Sequence, residues 1–161
     1  MKNWIACCFL LVFMLAAMMP LQAAHYNNRD GNIQFDVADT WPVMNANPLV
    51  LSSPRGDIIL CFEVIKAEDT QSALIGSEAS LLRYMQSIKK GETRNVNING
   101  LEGVAVDGTA KVNEIPVVFT LSIVPAQKKL YTLFFYYGAP GAAKNNIDDI
   151  NAFLKSIKRI R

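Results

Sequence analysis

The chain has 161 residues, with 16 Lys and Arg against 14 Asp and Glu, three cysteines and one histidine. That length suits one domain with a sizeable core. A formal net charge of only +2 excludes the strongly basic surface that nucleic-acid binding needs.

The chain begins with Lys2 and an apolar run, Trp4 to Met19, which Pro20 ends. Leu21-Gln22-Ala23-Ala24 then offers the small residues that signal peptidase needs, and the run is short for a bilayer span. Residues 1–24 are therefore expected to be a cleaved secretory signal. Residues 25–161 are expected to form a single domain, periplasmic or secreted, with no transmembrane segment left after cleavage. A lipoprotein would need a cysteine just after the apolar run, whereas Cys7 and Cys8 sit at its start. Once the leader is gone only Cys61 remains, so no internal disulfide can form and stability must come from packing.

A polar lead-in, His25 to Asn32, precedes Ile33-Gln34-Phe35-Asp36-Val37, whose alternation is that of a half-buried strand. Asp39-Thr40-Trp41-Pro42 breaks it, because proline lacks a ladder donor and restricts the residue before it. Leu49 to Ser53 reads as a second strand and Ile58 to Ile65 as a third, with a turn at Ser53-Pro54-Arg55-Gly56-Asp57. The third strand is almost wholly apolar, which predicts a central position and a shielded Cys61. Glu63, charged within it, fits an edge or salt-bridged role more simply than a functional carboxylate with a raised pKa.

Asp69 or Thr70 can cap a helix extending to about Lys90. Leu74, Leu81, Met85 and Ile88 form its apolar stripe, Ile75 and Leu82 widen it, and Gly91 stands ready as C-cap. Four strands follow, at 93–98, 102–112, 115–124 and 129–137. Asn99-Gly100 and Asn113-Glu114 supply tight turns, and connections this short make neighbours antiparallel. A last helix from about Asn146 to Ile157 carries Ile147, Ile150, Phe153, Leu154 and Ile157 on one face. Asp148 and Asp149 in its first turn and Lys155, Lys158 and Arg159 at its end complement the helix dipole.

In 115–124, Val117, Phe119, Leu121 and Ile123 oppose Val118 and Val124. In 129–137, Leu130 and Phe134 oppose Tyr131, Leu133 and Phe135. Both faces carry apolar bulk and both need cover. The predicted fold is α+β: an antiparallel sheet of about six or seven strands sandwiched between two amphipathic helices.

Little in the sequence carries chemistry. His25 lies beside the leader, where a frayed terminus is expected. A copper site built on a terminal histidine would need another histidine, and triads that rely on histidine are excluded in the same way. Gly138-Ala139-Pro140-Gly141 follows a strand but lacks the Lys-Ser/Thr ending of a phosphate loop. No catalytic, metal-binding or cofactor-binding residue is assigned, and no cofactor is expected. The aromatic residues Trp41, Tyr136 and Tyr137 are the candidate partner surface, since Trp and Tyr are enriched at binding hot spots. The same residues also commonly close the edge of a core.

Three phrases resemble the PsbP-like superfamily. They are Phe35-Asp36-Val37-Ala38-Asp39-Thr40-Trp41, the hairpin Ile98-Asn99-Gly100-Leu101-Glu102-Gly103, and the ending Ile150-Asn151-Ala152-Phe153-Leu154-Lys155-Ser156-Ile157. That superfamily includes the photosystem extrinsic subunit PsbP, a Ran-binding nuclear import factor and DcrB-type bacterial envelope proteins. The resemblance spans about residues 31–160. It implies an α/β/α sandwich that binds other proteins and has no active site, and with the bacterial-type leader it points to the envelope branch. The expected function is an exported, monomeric, non-enzymatic module binding a protein partner in the bacterial cell envelope. The alternative is a small-molecule or lipid binder using a pocket between sheet and helix.

Overall fold

The structure, a computed structural model, describes residues 23–127 and 129–160. Apart from Ala23 and Ala24, the leader read from the sequence lies outside the described residues.

A seven-stranded antiparallel sheet forms the centre. Its strands are β3 (Val43–Ala46), β4 (Leu49–Ser52), β5 (Ile58–Lys66), β6 (Gln86–Ile98), β7 (Leu101–Val112), β8 (Ile115–Pro125) and β9 (Leu130–Gly138), in the spatial order β3-β4-β5-β9-β8-β7-β6. Strands β5, β9 and β8 are the middle of the sheet, and they are also the most apolar segments among the described residues. The alternation read from the sequence holds on both faces. Val117, Phe119, Leu121, Ile123, Leu133 and Phe135 join one core cluster, while Val124 and Phe134 belong to the other.

Helix α1 (Thr70–Leu82) covers the first face, packing on β5, β8 and β9. Asp69 caps it, its carboxylate accepting from Ser72 N–H at 2.7 Å. The buried side of α1 is made of small residues, Ala73, Ser77 and Ser80, with Leu81, whereas Ile75 and Leu82 face solvent. Small residues let the helix settle close to a sheet face already filled by Phe119 and Phe135. The apolar stripe expected from helical spacing is therefore only partly the buried one.

The helix also stops earlier than its periodicity predicts. Beyond Arg83 the chain turns, and residues 86–98 extend as β6 against β7. Met85 and Ile88 still reach the same core, but from a turn and a strand, so their spacing mimicked a helix that the ladder with β7 replaced. Gly91 is a bulge residue and not a cap. The pairing register shifts between Lys90 and Thr93, and a Cβ at position 91 would lie 3.0 Å from the Asp107 carbonyl oxygen.

The second face is covered by two things. A small antiparallel sheet comprises β1 (Ala23–Asn28), β2 (Ile33–Ala38) and β10 (Lys158–Arg159), with β2 in the middle. Beside it lie a single turn, α2 (Ala142–Asn145), and α3 (Ile147–Ser156). The strand at 33–37 thus forms as its alternation predicts but sits above the large sheet. Ile33, Phe35 and Val37 are buried against that sheet and α3. Phe35 makes an edge-on contact with Phe153 at 5.3 Å and a tilted one with Phe62 at 5.0 Å, and Phe134 lies 5.9 Å from Phe153. Each such pair contributes about 0.5–1.5 kcal/mol beyond its buried area. Within α3, Ile150 and Phe153 are buried and Ile147, at its first position, is exposed.

His25, where fraying was expected, lies within strand β1. All six residues of β1 pair with β2, Tyr26 stacks on Phe35 at 5.4 Å, and His25 Nδ1 lies 2.6 Å from Asp36 Oδ1.

Cys61 is 1 % exposed and faces α1 with Ile59 and Ile65, as its strand position predicted. Burial, and secondarily the nearby Glu63 charge, pushes its thiol from 9.0 up to about 12. The unfolded thiol ionises near its ordinary value, so the protonated folded thiol contributes stability that is fully present below about pH 9. That stability is lost as pH rises toward 12. Urea midpoints should fall over this window in wild type and fall less in Cys61→Ala. A thiol reagent at pH 8 should label Cys61 only after denaturation, and rapid labelling of folded protein would place this face at the surface.

Candidate functional site: a groove between β6 and the last helix

On the second face the cover is incomplete. Helix α3 and β2 lie over β5 and β9, leaving the part of the sheet formed by β8, β7 and β6 open beside them. The register explains the hollow. One row across the strands runs Arg94, Ala105, Ser122, Phe134, and the next pairs Val96 with Gly103. Small residues on β7 and β8 thus stand between two bulky borders. A side chain at Gly103 is excluded, since its Cβ would come within 2.3 Å of the Ile123 carbonyl oxygen.

The result is a groove of about 280 Å³. Thr120 and Ser122 form its floor, Phe134 and Tyr136 of β9 flank them, and Arg94, Val96 and Ile98 make the β6 wall. Phe153 and Leu154 of α3 make the other wall. At the mouth, Asp107 receives a 2.7 Å hydrogen bond from the Thr120 hydroxyl and two 3.3 Å bonds from the Arg94 guanidinium. The groove is therefore apolar with one polar, charge-balanced end, suited to holding an apolar group without covalent chemistry.

The α3 wall is held in place from both sides of its C-terminus. Asn99, at the tip of the β6–β7 hairpin, has φ 51° and donates its amide to the carbonyls of Ile157, at 2.9 Å, and Lys155. Left-handed backbone is tolerated by Asn, and Gly100 beside it has φ 81°, as a tight hairpin turn requires. On the other side the Ser156 hydroxyl accepts from Asp36 N–H at 2.8 Å and donates to Asp36 O at 3.1 Å. The Lys155 carbonyl, left without a partner at the last turn of the helix, is thus answered by the Asn99 amide, while Ser156 joins the helix end to the β2 backbone. These are the residues of the three phrases that drew attention in the sequence.

The three candidate aromatics do not share one surface. Trp41, 5 % exposed, is buried rather than displayed, and its indole N–H donates to Asp149 Oδ2 at 3.2 Å. It borders a narrow apolar hollow that shares Leu60, Tyr136 and Phe153 with the groove. Tyr136 is half-buried and lies where the two meet. Tyr137 points to the opposite face with Tyr84 and Phe135, and burial raises its hydroxyl to about 12. The β6 and β8 contributors, Val96, Ile98 and Ser122, were not singled out from the sequence, although the alternation of Asn95-Val96-Asn97-Ile98 marks a half-covered strand.

Glu63 takes the salt-bridged role. Its carboxylate accepts from the Ser80 hydroxyl at 2.7 Å and from Arg83, tying β5 to the end of α1. Among the described residues no group of three His, Cys, Asp or Glu is placed to hold a metal ion. No helix among them is long and apolar enough to cross a membrane.

No protein-family model matches the chain, and no curated protein matches it in sequence. Solved structures do. The PsbP protein of the cyanobacterium Synechocystis sp. PCC 6803, CyanoP, aligns with a TM-score of 0.57 at 11% identity, over 89% of this chain and 95% of that one. LpqN of Mycobacterium tuberculosis, involved in cell envelope biogenesis, aligns at 0.57 and 11% identity, over 87% of this chain and 91% of its own. The Ran-binding protein Mog1p of Saccharomyces cerevisiae aligns at 0.53 and 9% identity, over 86% and 96%. The fold is PsbP-like.

Asn99 offers a direct test of how the groove is built. Asn99→Gly keeps a residue suited to positive φ and removes the amide that clamps α3, at a cost of about 1–3 kcal/mol. Amide exchange should quicken over residues 153–157 and not over β5 or β9. Unchanged exchange there would show that the helix is held without the hairpin.

Proposed function

We propose that the chain is an exported, non-enzymatic module that binds a protein partner in the bacterial cell envelope, with residues 1–24 removed as a signal peptide. The partner's apolar side chains enter the groove between β6 and α3, next to Tyr136. The observation that carries this reading is the groove itself, an open hollow lined mainly by apolar side chains, of the kind that receives an anchor side chain. Trp41 serves it indirectly by bracing α3 through Asp149. Two structural relatives support a binding role by analogy of fold, one described as Ran-binding and the other as involved in cell envelope biogenesis. A small-molecule or lipid ligand in the same groove is the second reading. Its volume, about 280 Å³, falls just short of the usual range for such sites.

Expression in a bacterial host with fractionation and N-terminal sequencing should yield a periplasmic or secreted chain beginning near Ala24 or His25. Mature protein used as bait on envelope extract should retain a defined protein. Val96→Glu, which puts a charge on a half-exposed groove wall, should reduce that capture at least tenfold. Leu82→Glu, at the exposed C-terminal end of α1, should leave it unchanged. Equal capture by Val96→Glu would move the site elsewhere, and a solvent-extractable ligand displaced by Val96→Glu would establish the second reading.

A further inference from the structure

The outer edge of β6 bears on what conformation the partner takes. Both ends of the large sheet are edge strands, and an edge exposes backbone donors and acceptors that invite another strand. The β3 edge is guarded. It is four residues long, its register is interrupted between Val43 and Asn45, and Pro48 follows it closely.

Strand β6 is 13 residues long and guarded only in its first half. There the register shifts twice, between Gln86 and Lys89 and between Lys90 and Thr93. Lys89 and Lys90 lie in this half, and Lys90 is tied to Glu78 of α1 at 2.9 Å. From Thr93 to Ile98 the pairing with β7 is unbroken. That half carries one charge, Arg94, already engaged by Asp107. The same half supplies Val96 and Ile98 to the groove wall. The protective devices thus end where the groove begins.

Resting on the protein-partner reading, we propose that the partner presents an extended segment which adds as an eighth strand along Thr93–Ile98. Main-chain hydrogen bonds supply the affinity, and every second side chain projects over the groove. The pleat dictates the chemistry of that segment. Residues on the α3 side must be apolar to enter the groove, and residues on the α1 side are polar where they lie beside the exposed Asn95 and Asn97.

Two synthetic heptapeptide libraries of equal composition test this, one alternating Val, Leu, Ile or Phe with Thr or Ser and one with the apolar residues in a block. Selection on the mature protein should enrich the alternating library at least tenfold over the block library. A selected peptide should then be N-methylated at alternate amides in either of two registers. One register should weaken binding at least tenfold and the other should be tolerated, because only one set of amides faces β6. Every second amide of residues 93–98 should exchange more slowly in the complex. Equal enrichment of the libraries, or equal effects of the two methylation registers, overturns strand addition. A peptide sensitive to Val96→Glu but indifferent to the register keeps the groove and removes the strand. A peptide sensitive to the register but indifferent to Val96→Glu keeps the strand and removes the groove.

Discussion

The structure depends on a sheet whose middle strands are apolar on both faces. Phe134 and Phe135 are adjacent in sequence and point to opposite sides, and both are buried. No arrangement with one solvated face is open to such a strand, so the chain must supply two covers from a modest length. Each cover follows from what its face offers. The Phe119–Phe135 side is already bulky, and α1 meets it with alanine and serine. The Phe62–Phe134 side is met by bulk of its own, Phe35 from β2 and Phe153 from α3.

The covers are unequal in reach, and the groove is a consequence. Helix α3 is pinned at its C-terminus by Asn99 and Ser156 and braced near its start by the Trp41–Asp149 bond, so it cannot slide across toward β6. Gly103 lets β7 and β8 pack closely, and with Ala105 and Ser122 it leaves nothing tall enough to fill the space beneath. The proposed binding surface needs no reactive group, only an apolar hollow with a polar lip, which the sandwich leaves as a by-product of covering its own sheet.

Much of the fold was legible in the sequence because its strands alternate strictly. The orientation of each side chain in β8 and β9, the burial of Cys61 and the structural ion pair at Glu63 all follow from period and composition. What misled was spacing that two conformations satisfy. Leu81, Met85 and Ile88 stand at helical intervals, yet a turn and a strand deliver the last two to the same core, and only the ladder with β7 decides between them. For Trp41 the sequence left a partner surface and a closed core edge both open. Its burial depends on α3, more than a hundred residues away, bringing Asp149 to its indole. The groove was the least legible feature, since it arises from what small residues on β7 and β8 fail to fill.

The proposed binding face is the β6 side of the sandwich, left open by this unequal covering. Photo-cross-linking in living cells probes it, with a diazirine-bearing residue placed at position 96 in the groove wall or at position 82 on the exposed end of α1. Binding at the β6 side should give a discrete protein adduct from position 96 and none from position 82. Adducts from position 82 with none from position 96 would assign binding to the opposite face of the sheet.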